Sequence, residues 1–183
     1  MRILVIGAVA AGTSAAAKAR RNDDQAEIVI YEKDRDISYS GCGLPYYIGG
    51  EIEDISELTP RDVIFFRKKY NIHIFTGHEV LKIDPKKKEL TVKNLDTDEI
   101  FHDQYDKLVV ATGASPFVPD VKGIEMNHVF FLRNVQNARN IRSFIEARKP
   151  RNAVIAGTGI IGFEMLENLM EEEINVSIVE KMG

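Results

Sequence analysis

Cys42 is the only cysteine in this chain of 183 residues. It lies in Ser38-Tyr39-Ser40-Gly41-Cys42-Gly43-Leu44-Pro45-Tyr46-Tyr47, a stretch rich in glycine and closed by proline. One protein sulfur cannot close an intrachain disulfide. Its redox partner has to be a small-molecule sulfur, an oxygen or a flavin. The reactive form is the thiolate, and a free cysteine at neutral pH is mostly protonated. Placement at the start of a helix, which this segment suggests, favours the anion. The competing reading is a buried, inert cysteine, the common fate of free thiols in composition alone.

Two glycine loops flank this thiol in sequence. The first, Ile6-Gly7-Ala8-Val9-Ala10-Ala11-Gly12, follows an apolar run and opens an Ala-, Lys- and Arg-rich stretch, with Glu32 standing 20 residues after Gly12. The second, Gly157-Thr158-Gly159-Ile160-Ile161-Gly162, has the same setting, with Glu180 standing 18 residues after Gly162. In such turns the glycines admit a pyrophosphate to the backbone N–H groups of a helix N-terminus. An acid about 20 residues on then accepts the ribose hydroxyls. Val9 takes the middle glycine position in the first loop, while all three glycines are present in the second. Glu180 favours NAD because a carboxylate repels a 2′-phosphate, and Lys181 beside it leaves room for NADP.

The elements that must hold these groups follow from the apolar pattern. Residues 2–6 and 27–31 are buried strands around a helix at 11–21, a βαβ unit. Residues 60–70 read as a helix with Pro60 near its first turn. Strand-like runs at 72–76, 78–83, 89–95 and 99–102 read as an antiparallel meander over about 72–105. Residues 107–111 form another buried strand, closed by Thr112-Gly113, and 134–148 a helix. A second βαβ unit follows: strand 153–157, a helix to about 172 and strand 176–179. About 30 residues of βαβ cannot cover their own sheet, so the sequence reads as an N-terminal fragment whose second domain has barely begun.

Composition sets further bounds. Hydrophobic content of 44%, charged content of 28% and net charge −4 are ordinary for a globular chain and argue against nucleic acid as a partner. Lys86-Lys87-Lys88 follows Asp84-Pro85 and reads as a solvated turn. No stretch approaches about 18 apolar residues, so no membrane span is expected. A free cysteine and no signal peptide point to the cytoplasm. His73, His78, His102 and His128 lack metal-ligand spacing, and no metal site is expected. Ser14, Lys18 and Arg21, spaced i, i+4, i+7, share one helix face that suits a phosphate-bearing substrate; a merely solvated face is the alternative.

Taken together, Gly-Ala-Val-Ala-Ala-Gly, Tyr-Glu-Lys-Asp-Arg-Asp-Ile-Ser, Cys-Gly-Leu-Pro-Tyr-Tyr-Ile-Gly, Tyr-Asp-Lys-Leu-Val-Val-Ala-Thr-Gly and the second loop resemble the single-cysteine branch of the pyridine nucleotide-disulfide oxidoreductases. The resemblance spans the chain. It implies a three-layer ββα FAD/NAD(P)-binding fold of the α/β class, with a parallel sheet plus an antiparallel meander. It implies a flavin-binding domain over 1–149 and the first βαβ of an inserted nicotinamide-nucleotide domain over 150–183. FAD contacts would come from Gly7, Ala8, Val9, Ala10, Ala11, Gly12, Glu32, Lys33, Val80, Ala111, Thr112 and Gly113. NAD(P)H contacts, NADH favoured, would come from Gly157, Gly159, Ile160, Ile161, Gly162 and Glu180. Cys42 would be the redox nucleophile. Peroxidases and many oxidases of the branch carry histidine where this chain has Ala10; Val9-Ala10 and the Cys42 segment look more like coenzyme A disulfide reductase. There Ser14, Lys18, Arg21, Ser38 and Lys69 match substrate contacts, while Gly41 stands where that group commonly has asparagine. A small-molecule disulfide or polysulfide substrate and a homodimeric parent are implied. NADH oxidase and an inactive nucleotide-binding fragment remain as alternatives, since the family's later flavin-binding Gly-Asp segment and its dimerisation domain lie past Gly183.

Overall fold

Strand β1 (Arg2–Ile6) is apolar and buried from Ile3 to Ile6 because both of its faces are covered there. It lies in a four-stranded parallel sheet of order β3-β2-β1-β7, with β2 at Glu27–Glu32, β3 at Ile72–Thr76 and β7 at Lys107–Val110. Successive side chains of a strand point to opposite faces. Ile3, Val5, Ile28 and Ile30 therefore pack with Ala16 of helix α1 (Ala10–Asn22) and Phe66 of the helix at Val63–Tyr70, here α3. Leu4, Ile6, Val29 and Tyr31 pack with Leu90 and Val92 of the antiparallel meander β4 (His78–Asp84), β5 (Glu89–Asn94) and β6 (Ile100–Gln104). This is the expected three-layer ββα arrangement.

Polar groups lock the sheet to the meander. Arg2 reaches Asp103 of β6 through Nε at 3.2 Å and Nη2 at 2.8 Å, and the buried Tyr31 hydroxyl donates to the same carboxylate at 2.7 Å. Burial and this hydrogen bond push the Tyr31 phenol well above its ordinary pKa.

Two expectations need correction. The run 72–76 belongs to the parallel sheet, not to the meander: β3 pairs with β2 from Ile28↔Ile72 to Glu32↔Thr76. α3 precedes it, so it returns as a crossover strand, and Gly77 at φ +66 turns the chain into the meander. Helix α3 also begins later than Pro60. Asp62 has extended backbone (φ −95, ψ 179) and its side chain accepts the Phe65 N–H at 2.7 Å, which makes it the N-cap.

The computed structural model describes residues 1–181; Met182 and Gly183, the end of the expected 150–183 segment, lie outside the described residues. The chain divides into two units. Met1–Tyr39 and Thr59–Ala114 form the one above; Ser40–Leu58 and the residues from Ser115 onward form the other. In the second, a tight 3-10 turn at Gly41–Gly43 leads into α2 (Leu44–Ile48). The parallel pair β8 (Asn152–Ala156) and β9 (Asn175–Val179) brackets α5 (Ile160–Glu171), as the second βαβ pattern indicates. Helix α4 (Val135–Arg148) opens with a capping box between Asn134 and Asn137. α2 packs against both α4 and α5 with Leu44 and Ile48 buried, so position 149/150 falls inside this unit.

Candidate functional site

The first glycine loop sits at the carboxyl end of β1, between β2 and β7, where an open parallel sheet presents its crevice. Its geometry requires glycine twice. Gly7 has φ +102, and a Cβ there would lie 2.2 Å from the Ala111 carbonyl oxygen. A Cβ on Gly12 would lie 1.8 Å from the Gly7 carbonyl oxygen, so the first turn of α1 rests directly on the strand end. Neighbouring strands fix the loop from both sides: the Gly7 N–H donates to Tyr31 O and the Ala111 N–H to Ile6 O, each at 2.8 Å. Val9, the N-cap of α1, supplies no side-chain cap, which leaves the first N–H groups of the helix for an anion. Ala10 and Ala11 are exposed at that end, while Ala8 is buried.

Glu32 is held at the tip of β2. It is buried, its Oε2 accepts the Ala8 N–H at 2.7 Å and its Oε1 accepts the Asp34 N–H at 3.0 Å. The carboxylate thus shapes the loop, and each oxygen keeps acceptor capacity for a sugar hydroxyl. Ser38 closes the same corner: its N–H donates to Ala8 O at 2.9 Å, and its φ of +49 is unusual for serine. Lys33 is exposed; Thr112 and Gly113 are exposed just past β7. Val80 is half-buried in the meander beside a bulge and packs on the Leu4–Tyr31 cluster.

The second loop repeats this construction. Gly157 has φ +113 and its N–H donates to Val179 O at 2.8 Å. A Cβ on Gly162 would lie 2.3 Å from Gly157 O, whereas one on Gly159 would meet nothing within 4 Å. Gly162 is needed for packing; Gly159 leaves an open cradle at the helix start. Glu180 Oε2 accepts the N–H of Thr158 at 2.9 Å, as Glu32 accepts that of Ala8, and also its hydroxyl at 2.9 Å. Ile160 and Ile161 are exposed.

Cys42 is exposed in the 3-10 turn. Its two glycine neighbours differ in kind. A Cβ on Gly43 would press to 2.3 Å from Leu58 Cδ2, while one on Gly41 would meet open space. Gly43 thus packs against the Leu58 side chain, and Gly41 borders open space.

Ser14, Lys18 and Arg21 are all exposed on the outer face of α1. Arg20, which the sequence pattern does not single out, turns the other way. Its Nε donates to Tyr70 O at 2.8 Å and its Nη2 to Asn71 O at 3.0 Å, tying the last turn of α1 to the end of α3. Lys69, exposed on α3, lies over the Phe65 ring at 5.2 Å and the Tyr70 ring at 5.5 Å. Lys18, Arg21 and Lys69 form no ion pair among the described residues, so their charges are available to a ligand. Within the first unit the structure thus unites the loop, Glu32, Ser38 and Ala111. Within the second it unites the other loop with Glu180 and places the Cys42 turn on α2. Sequence reasoning also misses Arg142 and Asn168. Asn168 carries a signal, a polar residue on the buried Met165–Leu169 face of α5; Arg142 carries none. Among the described residues, no group of His, Cys, Asp and Glu could hold a metal ion, and no helix is long and apolar enough to cross a membrane.

Two glycine loops at strand ends, a lone exposed thiol and a ββα fold define a class, and comparison with known proteins names it. The chain belongs to the pyridine nucleotide-disulphide oxidoreductase family, whose model matches residues 1–183. The coenzyme A disulfide reductase of Staphylococcus haemolyticus is 37% identical over 180 residues, which is 98% of this chain and 40% of that protein. Among solved structures, reduced Bacillus anthracis CoADR-RHD is 42% identical with a TM-score of 0.95, covering 98% of this chain and 32% of that one. The NAD-dependent persulfide reductase from A. fulgidus is 36% identical, also with a TM-score of 0.95, covering 100% of this chain and 34% of that one. The chain thus spans less than half the length of these relatives.

Proposed function

We propose that this chain carries the flavin loop and the redox nucleophile of an NAD(P)H-dependent disulfide reductase whose oxidant is coenzyme A disulfide. The observation that carries the reading is Cys42: the single thiol, exposed in a turn whose preceding residue, Gly41, borders open space. Its thiolate attacks one sulfur of the disulfide, forming a Cys42–S–S–CoA bond and releasing the other half as a thiolate. Two electrons from NAD(P)H then cleave that mixed disulfide, freeing the second CoA thiol and restoring Cys42. Bound FAD would supply the relay between nicotinamide and sulfur.

The chain's own residues fit that assignment. The uncapped start of α1 and the Gly7–Gly12 approach suit a pyrophosphate, and Glu32 suits a ribose. The open Gly159 cradle and Glu180 suit NADH over NADPH. Ser14, Lys18, Arg21, Ser38 and Lys69 offer hydroxyls and unpaired cations to the phosphates of coenzyme A. In this reading 1–149 is the flavin-binding domain, 150–183 opens the nicotinamide-nucleotide domain, the parent is a homodimer, and a reducing cytoplasm keeps Cys42 as a thiol.

A second reading, persulfide or polysulfide reduction, is favoured by Gly41, which offers no side chain to a coenzyme A moiety, and by the likeness to the A. fulgidus persulfide reductase. The flavin assignment is tested by absorbance of the purified protein reconstituted with FAD and desalted. Retained yellow flavin supports it; a colourless protein eliminates it.

A further inference from the structure

The segment bearing Cys42 is gripped at its far end by two residues that the loop and thiol chemistry does not use. Residues 41–48 run without a break from the 3-10 turn through α2. Beyond α2, Arg142 of α4 places Nη1 2.9 Å from Tyr47 O, 2.9 Å from Ile52 O and 3.3 Å from Glu53 O. Its guanidinium also lies 4.6 Å from the centre of the Tyr47 ring, and its Nε donates to Glu146 at 3.0 Å. One planar cation thus gathers three carbonyls, adding to the Gly50 N–H that Tyr47 O already accepts at 3.4 Å.

On the other side α5 approaches so closely that only glycine fits. A Cβ on Gly49 would lie 2.6 Å from Asn168 Oδ1, 2.7 Å from Asn168 Cβ and 2.8 Å from Asn168 O. Asn168 is itself buried, and its Nδ2 donates back to Glu164 O at 2.8 Å, which fixes its rotamer. At the near end, Leu44 is buried and Gly43 rests on Leu58. The helix axis is therefore set at its carboxyl end by α4 and α5, and Cys42 rides on its other end.

We propose that Arg142 and Asn168 are positioning residues for Cys42, holding the thiol segment and the helix of the second dinucleotide loop as one body. The proposal rests on Cys42 being the nucleophile. Loss of either contact lets α2 swing and moves the sulfur, although neither residue touches it.

The test follows Cys42 mixed-disulfide formation with coenzyme A disulfide by intact mass, as a function of pH, in the purified full chain. Variants are Arg142→Ala, Arg142→Lys, Gly49→Ala and Asn168→Ala, with Glu146→Gln as a control that keeps the carbonyl clamp. Amide hydrogen exchange of residues 41–48 reads the clamp independently of thiol chemistry. The expected result is a fall of at least fivefold in exchange rate in the Ala variants, partial recovery in Arg142→Lys, an unchanged control, and faster amide exchange in 41–48. Thiol rates within twofold of wild type alongside faster amide exchange would make the clamp purely structural and overturn the proposal, as would unchanged amide exchange. A wild-type thiol no faster than free glutathione would instead sink the nucleophile reading on which the proposal rests.

Discussion

Replacing Glu32 by Gln tests whether the acid of the first loop builds the loop as well as serving a ligand. The carboxylate accepts two backbone N–H groups, one per oxygen: Ala8 at 2.7 Å and Asp34 at 3.0 Å. Ala8 is fully buried, so its N–H has no water to turn to. Gln retains one acceptor oxygen and brings an NH2 to the other site, where it faces a donor. One charge-assisted hydrogen bond is lost outright and the other loses its charge. With such bonds contributing about 1.5–3 kcal/mol each, the net destabilisation is about 2 kcal/mol. For a chain of this size that lowers the thermal midpoint by roughly 4–8 °C. Thermal unfolding followed by circular dichroism, paired with a flavin-fluorescence titration, reads both roles. A midpoint within about 1 °C of wild type would refute the double-acceptor account. An unchanged FAD affinity in a destabilised variant would leave Glu32 a purely structural residue.

Gly12→Ala puts a methyl group 1.8 Å from Gly7 O and should abolish flavin retention and lower the thermal midpoint, whereas Gly159→Ala, with nothing within 4 Å, should leave the midpoint near wild type and weaken only dinucleotide binding. Equal melting of the two variants would contradict the packing account. Tyr31 predicts an alkaline limb. Its folded pKa is raised, first by burial and then by the Asp103 hydrogen bond, so the unfolded chain loses this proton first. The stabilisation is complete below the ordinary tyrosine pKa of about 10 and is lost as pH rises above it. Denaturant unfolding across that range should show stability falling in wild type and a flatter profile in Tyr31→Phe; parallel profiles would remove Tyr31 as the source.

Elements whose signals are local were legible in the sequence. The two βαβ units announce themselves through apolar runs ending at glycine, and Gly7, Gly12, Gly157 and Gly162 sit where the steric argument requires. The exposed Ser14–Lys18–Arg21 face was legible from spacing alone. β3 was not, because the strand run at Ile72–Thr76 has the same composition as a meander strand; only the helix before it decides its parallel pairing with β2. The late start of α3 depended on Asp62 winning the cap over Pro60, a contest of side-chain hydrogen bonding that helix propensity does not register. Arg20 and Arg142 were hidden for a different reason, as was the contact of Asn168, although its place on the buried face of α5 was legible. Arg20 and Arg142 act on carbonyls 50 and 95 residues away in sequence, and the Asn168 contact exists only once α2 and α5 are packed.

The central claim, that electrons from a nicotinamide pass to a disulfide through Cys42, is tested most directly by anaerobic NADH oxidation in the full-length, FAD-loaded protein with coenzyme A disulfide as oxidant. The account predicts rapid oxidation in wild type and its loss in Cys42→Ser, with FAD retained by both. NADH oxidation that needs oxygen and persists in Cys42→Ser would contradict it.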